Sequence, residues 1–298
     1  MKNKSIVKFF FWIFPLCFAL AACNSQNSGK EYQPVFVADS SSQNTLVLGF
    51  PNFSYSETAA LLVEYLNAHL PNVRVKVHAC VDWNEYLSFL NQGKFDIGLV
   101  NGIVACEATN YGYSICGKVS SDEPYSSLII TQKNSGINKV TDLKGKKVAL
   151  VPSNTIPSTM MGMYYLYDNG LDVNLLIHKE NVASFEAGII SVYLGKSAAA
   201  ICPRRNWSVY VREHPEMLSK VEIKWETEPL EQNAVLIKNT VDKKVVSDLM
   251  NLLFSMHDAK DAQPALQKLD ITGFEKADNE VYKPMLDFKL KFDSLIHL

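Results

Sequence analysis

Hydroxyl and amide side chains cluster where a predicted strand gives way to a predicted helix, Pro157 to Asn169. The cluster comprises Ser153, Asn154, Thr155, Ser158 and Thr159. Free backbone N–H groups and the positive end of the helix dipole favour an anion at such a point, and these uncharged side chains add hydrogen-bond donors. Plain helix capping explains one or two such residues but not five. The sequence therefore predicts an anion-binding loop.

Two arginines, Arg204 and Arg205, follow a second predicted strand, directly after Cys202-Pro203. One of the two guanidinium groups could bind a carboxylate or a phosphonate through two parallel hydrogen bonds. We choose Arg204 as the candidate. A solvated helix start is the alternative, although a positive charge is disfavoured there unless a ligand or an acid offsets it.

Further candidates stand near the ends of other predicted strands. Tyr125 and Tyr55 could form apolar walls, and Asn52 and Asn101 could donate hydrogen bonds. Aromatic residues near helix starts also serve as core residues, so this alternative stays open. Tyr125 has the best support of the four, because it lies next to a strand that leaves the first part of the chain.

The composition excludes several functions. Of the 298 residues 47% are hydrophobic and 20% charged, which is typical of a globular protein. With 29 basic and 31 acidic residues the formal charge is −2, so no basic excess attracts nucleic acid. No hydrolase elbow, zinc-protease, Walker or dinucleotide motif occurs, and we expect neither an enzyme nor a cofactor. A Cys/His nucleophile with His178 is the competing enzymatic hypothesis.

Four cysteines remain once the amino-terminal segment is set aside, namely Cys80, Cys106, Cys116 and Cys202. They allow three disulfide pairings, among which the short Cys106–Cys116 closure is favoured. Free buried thiols are the alternative. Since no CxxC or matched Cys/His spacing occurs, we expect no metal site.

The amino terminus has the pattern of an export signal. Lys2, Lys4 and Lys8 precede an apolar run that is too short to span a bilayer as a helix. The run ends in Leu-Ala-Ala-Cys23, which resembles the bacterial lipobox. This resemblance implies a signal peptide over residues 1–22 and lipid on Cys23. An ordinary secretory signal is the alternative. Residues 23–44, rich in Ser, Asn and Gln, are predicted to be a flexible tether.

Short apolar strands alternate with helical patterns along the rest of the chain, which predicts an α/β fold with helices on both faces of parallel sheets. Two crossing strands are expected to form a hinge between two lobes. We place lobe 1 at residues 45–132 plus 230–298 and lobe 2 at 133–229. Ligands of such sheets bind outside the carboxyl ends of the strands, so we expect the ligand in a cleft between the lobes.

Several motifs in order resemble the type II periplasmic solute-binding proteins of ABC importers, and among them the phosphate, phosphite and phosphonate binders. The motifs are Gly93-Lys-Phe-Asp96, Tyr125-Ser-Ser-Leu-Ile-Ile-Thr131, Asn134-Ser-Gly-Ile137, Asp142-Leu-Lys-Gly-Lys-Lys-Val148 and Gly273-Phe274 ahead of Asp278 and Tyr282. The family's Ser-Thr-Ser-Gly box is reduced here to Thr155, and the Asp that usually follows a Gly-x-x is Ala198.

The resemblance implies a two-lobed type II fold that closes over a small oxyanion such as a phosphonate, phosphite or phosphate. It also implies a cleft histidine near His178, which ends a predicted strand of lobe 2; a capping histidine is the alternative. The partners would be an ABC permease with its ATPase and, through the lipid, a bacterial membrane, with the chain acting as a monomer. Two alternatives are a sensor or adaptor of the same fold and a binder of sulfonates or amino acids.

Overall fold

The computed structural model describes residues 44–51, 56–152 and 157–297. The signal peptide, Cys23 and the rest of the predicted tether up to residue 43 lie outside these residues, as do the site candidates Asn52, Tyr55 and Ser153 to Thr155, whereas Asn44, the last predicted tether residue, begins a strand. The described chain falls within one compact unit, Gln43–Leu298. Among its helices, none combines the length and the hydrophobicity needed to cross a bilayer.

The first sheet has six strands in the order β2-β1-β3-β10-β4-β11. The strands are β1 (Asn44–Phe50), β2 (Val73–Ala79), β3 (Ile97–Val100), β4 (Tyr113–Ser120), β10 (Ala234–Lys238) and β11 (Gly273–Glu275). Its helices are α1 (Ser56–His69), α2 (Trp83–Asn91), α3 (Gly102–Ala108), α7 (Lys243–Ser255), α8 (Gln263–Leu269) and α9 (Asn279–Leu295). The sheet is mixed rather than parallel, because β10 runs antiparallel to both of its neighbours.

The second sheet has five strands in the order β7-β6-β8-β5-β9. They are β5 (Ser127–Gln132), β6 (Lys147–Leu150), β7 (His178–Asn181), β8 (Ala199–Pro203) and β9 (Val221–Glu226). Its helices are α4 (Pro157–Asp168), α5 (Phe185–Tyr193) and α6 (Arg204–Glu213). β6, β7 and β8 are parallel, whereas β5 is antiparallel to β8 and to β9.

The chain passes between the sheets twice, after β4 and before β10, and the two passages meet in a bridge between Tyr125 and Leu230. Two crossings were expected, but β5, which the sequence assigned to lobe 1, pairs only within the second sheet. The division into two lobes remains a prediction, while the two sheets with their helices confirm the mixed α/β architecture.

Side-chain alternation explains how each sheet is covered. In β5, Ile129 packs into the cluster that contains α4, whereas Leu128 and Ile130 pack with α5 and α6 on the other face. All three are fully buried. Because both faces of β5 are covered, its sequence is a continuous apolar run rather than an alternating one.

The carboxyl-terminal helix α9 packs against helices of both sheets. Tyr282 lies against Gly102 at the start of α3, where an added Cβ would come within 2.2 Å of the tyrosine ring. Further along α9, Phe288 meets Tyr164 of α4 edge-on, with ring centroids 5.6 Å apart. Helix α9 therefore contacts a helix of each sheet and connects the two sheets through its side chains.

Candidate ligand-binding site

The predicted site residues that the structure describes mostly lie at one edge of the second sheet. Strands β6 and β8 end there and lead into α4 and α6. Strand β5 begins and β9 ends at the same edge, since Ser127 pairs with Pro203 and Leu128 with Glu226. Both chain crossings also reach this edge, so it faces the connection to the first sheet.

Ser158 and Thr159 occupy the first turn of α4, and both are buried. The Thr159 hydroxyl donates a hydrogen bond to the carbonyl of Val151 at 3.0 Å. The Ser158 hydroxyl, by contrast, has no hydrogen-bond partner among the described residues. A buried hydroxyl without a partner is costly, so of the two described members of the predicted loop, Ser158 is the one with an available hydroxyl.

Ser127, the first residue of β5, is a second such hydroxyl, and the sequence reasoning missed it. The side chain is fully buried, and its Oγ has no partner in the described chain. The backbone N–H of Ser127 donates to Thr227 Oγ1 at 3.0 Å, which fixes the strand end. Residues two apart in a strand share a face, so Ser127 points to the same side as Ile129, toward α4. The available signal was a serine opening an otherwise apolar strand.

The two hydroxyls lie on the same face and at the same end of the second sheet. Helix α4 packs across β5 and β8, with Gly162 so close to Ile201 that an added Cβ would lie 2.4 Å from that side chain. Ser158 precedes Gly162 by about one helical turn, toward the edge where β8 ends. Two buried hydroxyls that lack a partner among the described residues therefore lie on the same face and at the same end of this sheet.

Arg204 begins α6 as expected, but its guanidinium is already bound by the protein. Nε donates to Glu226 Oε1 at 2.6 Å, and Nη2 donates to the other carboxylate oxygen. Ser126 Oγ donates to the same carboxylate. These donors lower the pKa of Glu226, the arginine contributing most, and the hydrogen bond to Glu226 raises the pKa of Arg204. In this structure Glu226 occupies the fork with which Arg204 was predicted to bind a ligand, and that ligand contact stays a prediction.

Arg205 also has protein partners. Its Nε donates to Asp270 Oδ2 at 3.2 Å, and its Nη2 donates to the carbonyl of Leu269. Since Leu269 ends α8, these bonds join a helix of the second sheet to a helix of the first.

Two other candidates have local structural roles. Asn101 is the N-cap of α3, with its side-chain oxygen accepting from the Val104 N–H at 3.1 Å. Tyr125 is half-buried on the first crossing, where its carbonyl accepts from the Leu230 N–H at 3.0 Å. Burial raises the pKa of the Tyr125 phenol, so this hydroxyl stays protonated and can donate.

His178 does not lie at this edge. It is exposed and begins β7, an outermost strand of the sheet, where it pairs with Lys147 at the start of β6. It is not the last residue of a central strand. The sequence placed a strand over Leu175 to His178, but Leu175 is 79% exposed in a turn closed by the Asp172 carbonyl. The prediction of a cleft histidine is therefore corrected, because the strand begins where it was expected to end.

The four described cysteines are free thiols. Cys106 packs with the α3 and α9 cluster, whereas Cys116 packs with the cluster on the opposite face of the first sheet. That separation explains why the favoured Cys106–Cys116 pairing is absent. Within the described ranges, His, Cys, Asp and Glu side chains form no group able to hold a metal ion.

Solved structures share this architecture. A binding-protein component of an ABC phosphonate transporter from Pseudomonas aeruginosa superposes with a TM-score of 0.72 at 16% identity, covering 84% of this chain and 87% of that chain. PhnD1 from Prochlorococcus marinus, solved with methylphosphonate, gives 0.73 at 16% identity, covering 84% and 99%. The aliphatic sulphonate binding protein SsuA from Escherichia coli gives 0.61 at 16% identity, covering 85% and 94%. No curated protein matches by sequence.

Two sheets flanked by helices and joined by two crossings give the chain the fold of type II periplasmic binding proteins, which these structures share. The family model described as "ABC transporter, phosphonate, periplasmic substrate-binding protein" matches residues 50–282. The chain belongs to this family of extracytoplasmic, substrate-binding transporter components, and the family resemblance found in the sequence is confirmed.

Proposed function

We propose that this protein captures a small phosphonate-class oxyanion at the carboxyl-terminal edge of the second sheet and delivers it to an ABC permease with its ATPase. The observation that carries the proposal is the pair of buried hydroxyls, Ser127 and Ser158, which have no partner among the described residues. A tetrahedral oxyanion offers several acceptor oxygens, so one ligand group satisfies both donors.

The charges at this edge also fit a ligand bound mainly by neutral donors. The guanidinium fork of Arg204 is used by Glu226, and Arg205 is used by Asp270 and Leu269. Selectivity for an oxyanion then comes from hydroxyl groups, backbone amides at the start of α4 and the protonated Tyr125 phenol. The loop residues Ser153, Asn154 and Thr155 belong to the same proposed set, together with Asn52 and Tyr55 from the first part of the chain.

Calorimetric titration of the full chain in a non-ionic detergent tests the proposal. Methylphosphonate, phosphite, phosphate, an alkanesulfonate and an amino acid are the probes. We expect saturable binding of methylphosphonate, stronger than binding of the sulfonate. Silence from every oxyanion, or binding of the amino acid alone, contradicts the proposed ligand class.

We propose that the protein closes two lobes over its ligand as a monomeric carrier and is not an enzyme, because such closure requires no chemistry. A ligand that binds one conformation better shifts the population toward it, and a permease can recognise that state. Size-exclusion chromatography with light scattering checks the monomer with and without methylphosphonate; a dimer in either state contradicts it.

The membrane anchor is proposed from the amino-terminal pattern alone. Lipid on Cys23 would hold the protein at the outer face of a bacterial membrane. Metabolic labelling with palmitate is expected to mark the wild-type chain and Cys17→Ser, but not Cys23→Ser. Equal labelling of all three chains contradicts the anchor.

A further inference from the structure

A cavity of about 280 Å³ opens at the other end of the second sheet, where β6 and β8 begin and β5 ends. It is lined by Gln132, Ser135, Lys146, Lys147, Lys196 and Ser197, with Ile137, Gly195 and Ala198 completing the wall. From Ser127 to Gln132 the strand advances by about 17 Å. The cavity is therefore separate from the edge that carries Ser127 and Ser158.

Three of the lining residues are lysines, and all three are exposed. None of the three takes part in the ion pairs found among the described residues. The chain as a whole has a net charge of −2, so this concentration of positive charge is local and does not reflect composition.

Two carboxylates lie near the cavity without lining it. Glu180 accepts hydrogen bonds from Ser197 Oγ and, at 3.5 Å, from Ser191 Oγ. Asp142 accepts the backbone N–H groups of Asn138 and Lys139 at 2.9 and 3.0 Å. These two backbone hydrogen bonds are the main cause that lowers the pKa of Asp142, and the charge of Lys146 adds a smaller contribution. Both carboxylates are thus engaged by other donors.

The wall is shaped by a backbone that only glycine adopts easily. Gly195 has a φ of +71°, and an added Cβ there would be 3.4 Å from the Gln132 amide. The positive φ is the reason for a glycine at this position of the wall. Ser135 and the three lysines line one concave space, and no Asp or Glu residue of the described chain is part of its lining.

We propose that this cavity is a second anion site, which takes a phosphate group through Lys146, Lys147 and Lys196. Ammonium groups bind phosphate as point charges and need no planar geometry, and three of them around one space match a doubly charged tetrahedral oxyanion. The phosphate group can be inorganic phosphate or the headgroup of an anionic lipid. The site is independent of the proposed ligand site at the other end of the sheet.

Amide NMR of the ¹⁵N-labelled full chain in a zwitterionic detergent tests the site. The probes are inorganic phosphate, dihexanoylphosphatidylglycerol and, as the zwitterionic control, dihexanoylphosphatidylcholine. The test variant carries K146Q, K147Q and K196Q. A matched control carries K243Q, K260Q and K276Q, which removes the same charge from exposed lysines elsewhere.

We expect saturable shifts at Gly195 to Ala198 with phosphate or phosphatidylglycerol, weakened at least tenfold in the test variant and less than twofold in the control. Shifts with phosphatidylglycerol alone assign the site to a lipid headgroup, and shifts with phosphate alone assign it to the free anion. Ser158→Ala is expected to leave these shifts unchanged. No shift with either anionic probe, equal affinity in the test variant, or loss of the shifts in Ser158→Ala overturns the site.

Discussion

Replacing Ser127 and Ser158 by alanine, singly and together, separates binding from folding. Each serine buries a hydroxyl that lacks a partner in the described chain, and an unsatisfied buried hydroxyl costs about 1–3 kcal/mol. Removing it is expected to raise the free energy of unfolding without ligand by about 1 kcal/mol per site, a rise in Tm of about 2–4 °C. The same change removes a hydrogen bond to a charged ligand, worth about 1.5–3 kcal/mol, so affinity falls roughly 10- to 150-fold.

Thermal unfolding without ligand and calorimetry with methylphosphonate measure the two effects on the same preparations. Thr131→Val is the matched control, because Thr131 is a buried residue of β5 whose hydroxyl also lacks a partner, but it lies near the opposite end of the strand. The control is expected to gain stability and keep wild-type affinity. If Ser127→Ala and Ser158→Ala lose stability while affinity is unchanged, these hydroxyls are structural and the reasoning is refuted.

Three further outcomes follow from the packing and the charges. The pKa of Glu226 is lowered from 4.5 by its arginine partner, so its stabilisation is present above that pH and is lost as the pH falls through the lower folded-state pKa. Glu226→Gln is therefore expected to lower the free energy of unfolding by about 1 kcal/mol at pH 7, after allowance for solvent screening. Urea titrations of the wild type and the variant should show this difference becoming smaller toward pH 3. A difference that does not depend on pH contradicts the ion pair. Gly102→Ala should destabilise the fold by about 1–3 kcal/mol through overpacking against α9. Gly188→Ala in α5 should not, because an added Cβ there would lie 3.5 Å from its nearest neighbouring atom. Equal melting temperatures of the two variants would refute the contact at Gly102. Peptide mapping without reductant should find Cys106 and Cys116 unlinked, and a linked peptide would contradict the separation of their clusters.

The alternation of strands and helices was predictable because apolar runs and caps are local signals. Asp82, for example, accepts from the Glu85 N–H at 2.9 Å in the first turn of α2, as a capping residue should. Strand β4 and the short β11 were not predicted, because Gly117 interrupts the apolar alternation of β4 and β11 has only three residues. The sheet assignment of β5 depends on pairing with β8 and β9, which lie more than 60 residues away along the chain.

The candidate site was predictable where one residue type implies one local geometry. A polar segment before a helix signals a helix start, and Ser158 is found there with an available hydroxyl. The partner of Arg204 was not predictable, because Glu226 is 22 residues away and reaches it only when β8 and β9 flank β5. His178 was misplaced for a related reason, since a shift of three residues in a strand boundary moves a side chain from one edge of the sheet to the other.

A crystal structure of the protein grown with methylphosphonate tests the central claim most directly. The account predicts phosphonate oxygens within about 2.5–3.0 Å of both Ser127 Oγ and Ser158 Oγ, with the Arg204–Glu226 pair intact. A phosphonate bound elsewhere with both hydroxyls still unpartnered, or one held by Arg204 released from Glu226, would contradict it.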